Sequence, residues 1–187
     1  MKSIMISHSP ESCKLILSGE KTLDIRKAKP KIDPPFKCYI YCTLSGSNEF
    51  FKNVCGGDVA KWNRSGIALK KGKVVGEYVC DKIVDTRDIG GEEFFSKSKM
   101  TLDDWRKYTN YTKRQIWGYY ITDVKIYEPM LISNFYKRCK LAPCGECIYN
   151  FLDEDNGYYC GRNENPVITR PPQTWIYVEG PFINQFK

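Results

Sequence analysis

Apolar and polar positions alternate most clearly from Lys73 to Val84, a run rich in β-branched residues and tyrosine that predicts a strand. Lys37 to Thr43 alternates as cleanly, with Cys38, Ile40 and Cys42 on one face and Tyr39 and Tyr41 on the other. Trp117 to Tyr127 reads as another long strand, stopped by Pro129. Residues 2–7 predict a first strand and Trp175 to Glu179 a last one. Helix signals are short. Ser9 followed by Pro10 offers a hydroxyl cap and a proline at the first helical position, and Leu15, Ile16 and Gly19 complete a helix with a glycine stop. Thr101-Leu102-Asp103-Asp104-Trp105 reads as a capped helix entry. Leu131 to Lys137 predicts a short amphipathic turn or helix, and residues 44–72 a loop of Gly, Ser, Asn and basic residues. Five or six strands with two or three short helices, and no βαβ alternation, predict an α+β fold built on a small mixed β-barrel.

One strand carries an unusual pattern. Gly19-Glu20-Lys21-Thr22-Leu23-Asp24-Ile25-Arg26-Lys27 follows the helix stop, and its parity puts Leu23 and Ile25 on one face and Thr22, Asp24 and Arg26 on the other. Lys21 shares the apolar parity but sits at the strand's mouth, where it is able to turn outward. Charged side chains tolerate burial poorly, so this face is wet, paired or occupied by a ligand. Lys21 offers a point charge and Arg26 a planar fork. Asp24 between them pairs with one while the other is left for an anion. The alternative is a surface ion-pair ladder that contributes little.

Net charge changes the picture modestly. The chain carries 29 Lys and Arg against 22 Asp and Glu, a net charge of +7, which suits nucleic acid or an anionic ligand. The distribution is sharper: residues 61–73 hold Lys61, Arg64, Lys70, Lys71 and Lys73 without an acid, and residues 26–37 hold five cations against Asp33. Each cluster is a solvated surface or a phosphate track. An apolar fraction of 42% and four tryptophans suffice for the core of a single domain spanning 1–187, and argue against disorder. No N-terminal apolar segment and no run of about 18 apolar residues is present, so secretion and membrane spanning are not expected. Nine cysteines, several of them inside strand patterns, fit a reducing cytoplasm better than a disulfide framework.

Four stretches together resemble the ASCH domain family, a branch of the PUA-like β-barrels. They are Ser3-Ile4-Met5-Ile6-Ser7-His8-Ser9-Pro10, the G-x-K-x-x-acid-x-R run from Gly19 to Arg26, Trp117-Gly118-Tyr119-Tyr120-Ile121, and Arg170-Pro171-Pro172-Gln173-Thr174-Trp175. The resemblance implies a basic cleft lined by the Lys21–Arg26 strand that binds RNA, single-stranded nucleic acid or a nucleotide. In that reading Lys21, Asp24, Arg26 and Gln173 line the cleft, Trp117 and Tyr119 stack a base, and Lys27 and Arg170 meet phosphates. His8 and Trp175 are further candidates.

A rival reading is a metal-free hydrolase of RNA or of N-acylated cytidine-type nucleosides, acting through Lys21 and Asp24. Here the resemblance fails at one residue. The family's amidohydrolases place a threonine three residues after the lysine, and Asp24 stands there, a carboxylate that cannot serve as a hydroxyl nucleophile. Thr22 has the wrong spacing, and Glu92 and Glu93, in an expected loop, have no motif to choose between them. As the only histidine, His8 excludes a mechanism with two imidazoles.

Residues 139–165 read as an insertion. Cys139, Cys144, Cys147 and Cys160 place four thiols within 22 residues, with Gly145 inside a C-x-x-C knuckle. Such a set suggests a structural zinc that stabilises an insert too small for its own core. Free thiols are the alternative, and a protein-interaction adaptor acting through this insert is a third functional reading.

Overall fold

The computed structural model describes residues 1–44, 71–110, 115–137, 150–153, 157–160 and 167–181. The first strand, β1 (Ser3–His8), leads into α1 (Pro10–Leu17) and then β2 (Leu23–Arg26). Strands β3 (Phe36–Cys42) and β4 (Lys73–Asp85) follow, then α2 (Gly91–Ser98), α3 (Leu102–Thr109) and the long β5 (Trp117–Leu131). The chain continues through β6 (Tyr136–Lys137), β7 (Asn150–Asp153), β8 (Gly157–Cys160) and β9 (Trp175–Glu179).

Among the described residues seven strands form one mixed sheet in the order β2-β5-β4-β3-β1-β9-β6, while β7 and β8 pair separately. Only β1 and β3 run parallel among neighbours in the sheet; the other pairings are antiparallel. The α+β class and the mixed sheet agree with the sequence expectation, with more strands than the five or six foreseen. The ladder is open, because β2 and β6 are its two edges. It nevertheless curls back on itself: Arg26 on β2 donates from Nη2 to the carbonyl of Ser7 on β1, 3.1 Å away, though three strands separate them in the ladder. The sheet is thus curled but not closed into a barrel by strand pairing.

Local chemistry accounts for the elements. Ser9 caps α1 by accepting from the Ser12 amide, Pro10 opens the helix, and Gly19 follows it at φ +77°. Thr101 and Asp104 make a reciprocal capping box at α3. Helix α2 was expected to be loop: it starts at Gly90-Gly91 without a side-chain cap, and is held instead by Phe94 against Leu23, Ile25 and Ile116. The expected turn at 131–137 is a 3₁₀ turn over Ile132–Asn134 followed by β6.

Strand β3 is buried on both faces. Cys38, Ile40 and Cys42 pack with Ile4, Ile6 and α1, while Tyr39 and Tyr41 enter a second cluster with Met5, Phe135, Ile168 and Val178. Neither tyrosine faces the charged cleft. Gly76 on β4 sits where the pairing with β5 shifts register, and a Cβ there would meet the Lys125 carbonyl at 2.4 Å. Lys61, Arg64, Lys70, Cys139, Cys144 and Cys147 lie outside the described residues, as does most of the 44–72 loop. The zinc expectation falls there too: among the described residues no three His, Cys, Asp or Glu side chains gather to hold a metal.

Candidate functional site

The Lys21–Arg26 segment meets the end of β1 and the start of α1. Period-2 parity buries Leu23 and Ile25 under α2 and turns Asp24 to the opposite side. There its side chain is 2% exposed, so its charge has to be met by protein. Lys21 Nζ lies 3.0 Å from Asp24 Oδ1, and Arg26 Nε donates to Oδ2 at 2.7 Å. His8 stands 3.8 Å away through Nδ1. Arg26 Nη2 lies 3.1 Å from His8 Nδ1 and 3.3 Å from Nε2, so the guanidinium sits across the ring and meets both nitrogens at similar range.

Sequence reasoning missed Ser12. From the first turn of α1 its Oγ accepts from Lys21 Nζ at 3.0 Å and lies 3.3 Å from His8 Nδ1. The available signal was positional only: a cap at Ser9 places residue 12 one turn beyond His8. Tyr78 was missed as well. It is fully buried, in edge-on contact with the His8 ring at 6.4 Å, and its hydroxyl has no hydrogen-bond partner beyond the neighbouring Cys38 thiol.

Electrostatics set the protonation states. Burial alone would push the Asp24 carboxyl up, but the Arg26 and Lys21 charges outweigh it and hold the carboxyl well below the usual range. Burial pushes His8 well down; Asp24 opposes this, while Arg26 and Lys21 add to it, so the imidazole is neutral at pH 7. Burial works against the Arg26 charge, yet Asp24 more than restores it. Two cations, one carboxylate and one neutral imidazole leave the cluster a net +1.

Beyond Arg26 the chain lies on aromatic side chains. Tyr108 donates to the Ile25 carbonyl at 3.2 Å, and both Tyr119 Oη and Trp175 Nε1 donate to Ala28 O, at 2.7 and 3.2 Å. Lys27 Nζ sits 4.7 Å above the Tyr108 ring and Lys29 Nζ 4.6 Å above Trp117.

Solved structures with this arrangement of elements include an ASCH protein from Zymomonas mobilis. Its crystal structure is 19% identical, with 95% of this chain and 88% of that chain covered at a TM-score of 0.55. Crystal structures of two point mutants of that protein align as well: one at 18% identity over 97% and 93% of the two chains, with a TM-score of 0.56, the other at 19% with a TM-score of 0.55. The chain has the ASCH fold. No protein-family model and no curated protein matches it.

Within this ASCH fold, His8, Lys21, Asp24 and Arg26 come together. Gln173 and Arg170 are exposed on the turn before β9, which reaches the cluster through its backbone: Ser7 Oγ donates to Pro172 O and Ser7 N to Thr174 O. One expectation needs correction. Tyr119 is fully buried with its hydroxyl committed to Ala28, so it offers no face to a base. Trp117, expected to stack a base, has Lys29 Nζ over its ring. Glu92 and Glu93 lie on α2; Glu93 pairs with Lys97 at 2.8 Å and accepts from Tyr120, away from the cluster.

Proposed function

We propose that this ASCH-fold chain binds single-stranded nucleic acid, RNA in the first instance, or a nucleotide, by presenting the Lys21–Arg26 cluster to a phosphate. The observation that carries the reading is the buried Asp24 shared between two cations. The carboxylate orients Lys21 and the Arg26 fork without cancelling them, and the neutral His8 adds no charge, so the net charge of the cluster rests on these three groups. In so dry a setting a net positive cluster draws an anion far more strongly than it would in water. Gln173 is exposed on the adjoining turn, and its amide both donates and accepts, which suits a base edge.

Titrating labelled mixed-sequence single-stranded RNA by fluorescence anisotropy, at two salt concentrations, tests this. Wild type should bind with steep salt dependence, and Arg26→Lys, which keeps the charge but loses the fork, should weaken binding about tenfold. Absence of binding at low salt would remove the reading.

One observation favours hydrolysis as a second reading. Asp24 is held as a carboxylate far from neutrality and is thereby a poor proton shuttle, but Ser12 supplies a hydroxyl between Lys21 and the neutral His8. Turnover of RNA or of an acylated cytidine that is lost in Ser12→Ala, with binding retained, would turn the binder into an enzyme.

A further inference from the structure

The segment 27–31 is the other feature of this region that carries chemistry, and nothing in the cluster accounts for it. Three lysines stand at alternate positions, Lys27, Lys29 and Lys31, and all three are exposed. Lys27 and Lys29 rest over the rings of Tyr108 and Trp117. The backbone between them is pinned at Ala28 O by two donors, Tyr119 and Trp175. Beyond them the Lys31 amide donates to Tyr177 Oη at 2.6 Å. Pro30 is buried within the segment. An irregular connection between strands is ordinarily mobile; this one is bound to aromatic side chains at nearly every residue.

An ammonium over an aromatic face keeps its charge and its three donors while losing rotamer freedom, which lowers the entropy cost of meeting an anion. Two such charges, Lys27 and Lys29, and the exposed Lys31 follow directly from Arg26 with no acid among residues 25–32. Among the described residues no carboxylate pairs with these lysines, whereas Lys37, further along the same basic stretch, is paired with Glu77 at 2.8 Å.

We propose that residues 27–31 form a phosphodiester-backbone site, continuous with the Lys21–Arg26 cluster, in which Lys27, Lys29 and Lys31 meet successive phosphates of a single strand. The aromatic rings carry Lys27 and Lys29, Tyr177 holds the backbone at Lys31, and the bases are left unread. This deepens the nucleic-acid reading and rests on it for the strand's first phosphate. It also reverses the expected role of Trp117, from stacking platform to support for Lys29.

The test compares a short labelled abasic deoxy-oligonucleotide with a base-bearing strand of the same length, using wild type, Gln173→Ala, Lys29→Gln/Lys31→Gln and Trp117→Leu. Near-equal affinity for the two probes is expected once Gln173→Ala removes the base-edge contact proposed above. The double lysine variant should lower the slope of log affinity against log salt by roughly 0.7 for each lysine removed. Trp117→Leu should weaken both probes alike, and circular dichroism reports whether each variant is folded. A large preference of Gln173→Ala for the base-bearing strand, or loss of that strand alone in Trp117→Leu, would overturn the proposal in favour of stacking. An unchanged salt slope in the lysine variant, whose exposed substitutions leave the core untouched, would overturn it too. A nucleoside monophosphate separates this failure from failure of the cluster. Should the monophosphate bind while the lysine variant leaves the slope unchanged, only the 27–31 site falls. Should the monophosphate fail to bind while the slope drops, only the cluster falls.

Discussion

Asp24 shows how one residue organises the site. Its two oxygens are divided between Lys21 and Arg26, and removing the negative charge leaves two cations facing each other with little water. Breaking a buried pair in this way typically costs about 3–5 kcal/mol, because the desolvated partner charge goes uncompensated. Asp24→Asn is therefore expected to lower unfolding stability by that order in urea denaturation, far more than loss of the exposed Arg106–Asp103 pair on α3. The residue types and their alternation were legible in sequence, since parity alone separates Asp24 from Leu23 and Ile25. Ser12 and Tyr78 were not. Each reaches the cluster from a different element, and no local pattern distinguishes a serine in a helix's first turn from any other, or a strand tyrosine beneath an ion pair from a core tyrosine.

At the scale of elements, the close approach of β4 and β5 leaves no room for a side chain at Gly76. A Cβ there would stand 2.4 Å from a backbone carbonyl, which cannot rotate away. At Gly118 on β5 the nearest atoms are side-chain ends, Leu23 Cδ1 at 2.9 Å and Ile89 Cδ1 at 3.3 Å. Gly118→Ala is expected to cost about 1–3 kcal/mol, the usual range for overpacking, and Gly76→Ala more than that. Thermal or urea unfolding of the two variants checks the order; a milder effect at Gly76 would mean that β5 yields easily. The short helices divide along the same line between local and distant causes. Capping residues announced α1 and α3, whereas α2 is held by Phe94 reaching β2, a contact distant in sequence. The β1–β3 parallel pairing is likewise non-local, and no turn signal could specify it.

For the molecule as a whole, the cluster couples folding to pH. His8 has a lower pKa folded than unfolded, so between those values the unfolded chain binds the extra proton and stability falls as pH drops. The contribution is complete above the unfolded value of about 6.5 and is lost progressively below it. Asp24 acts in the same direction further down, its contribution complete above about pH 4 and declining in more acidic solution. Because His8 is the only histidine, loss of stability between about pH 7 and pH 5 is expected to flatten in His8→Gln, measured as denaturation midpoints across that range. A wild type with no slope there would contradict the buried neutral imidazole.

What the sequence determined by itself is everything that rests on near neighbours: the strand alternations of β3, β4 and β5, the capped starts of α1 and α3, and the split of the Lys21–Arg26 segment into an apolar and a charged face. These follow from a period of two, a period of 3.6 and hydrogen bonds spanning a few residues. Only the tertiary structure decided which charges meet. Curling of the open sheet brings Arg26 to the Ser7 carbonyl and His8, while the pairing of β2 with β5 sets Lys29 on Trp117 and Tyr119 against Ala28. The Arg26 contacts span three intervening strands of the ladder, while the other two cross the pairing of β2 with β5, whose residues are distant in sequence. Their energy comes from removing charge and aromatic surface from water, which no pattern along one segment encodes.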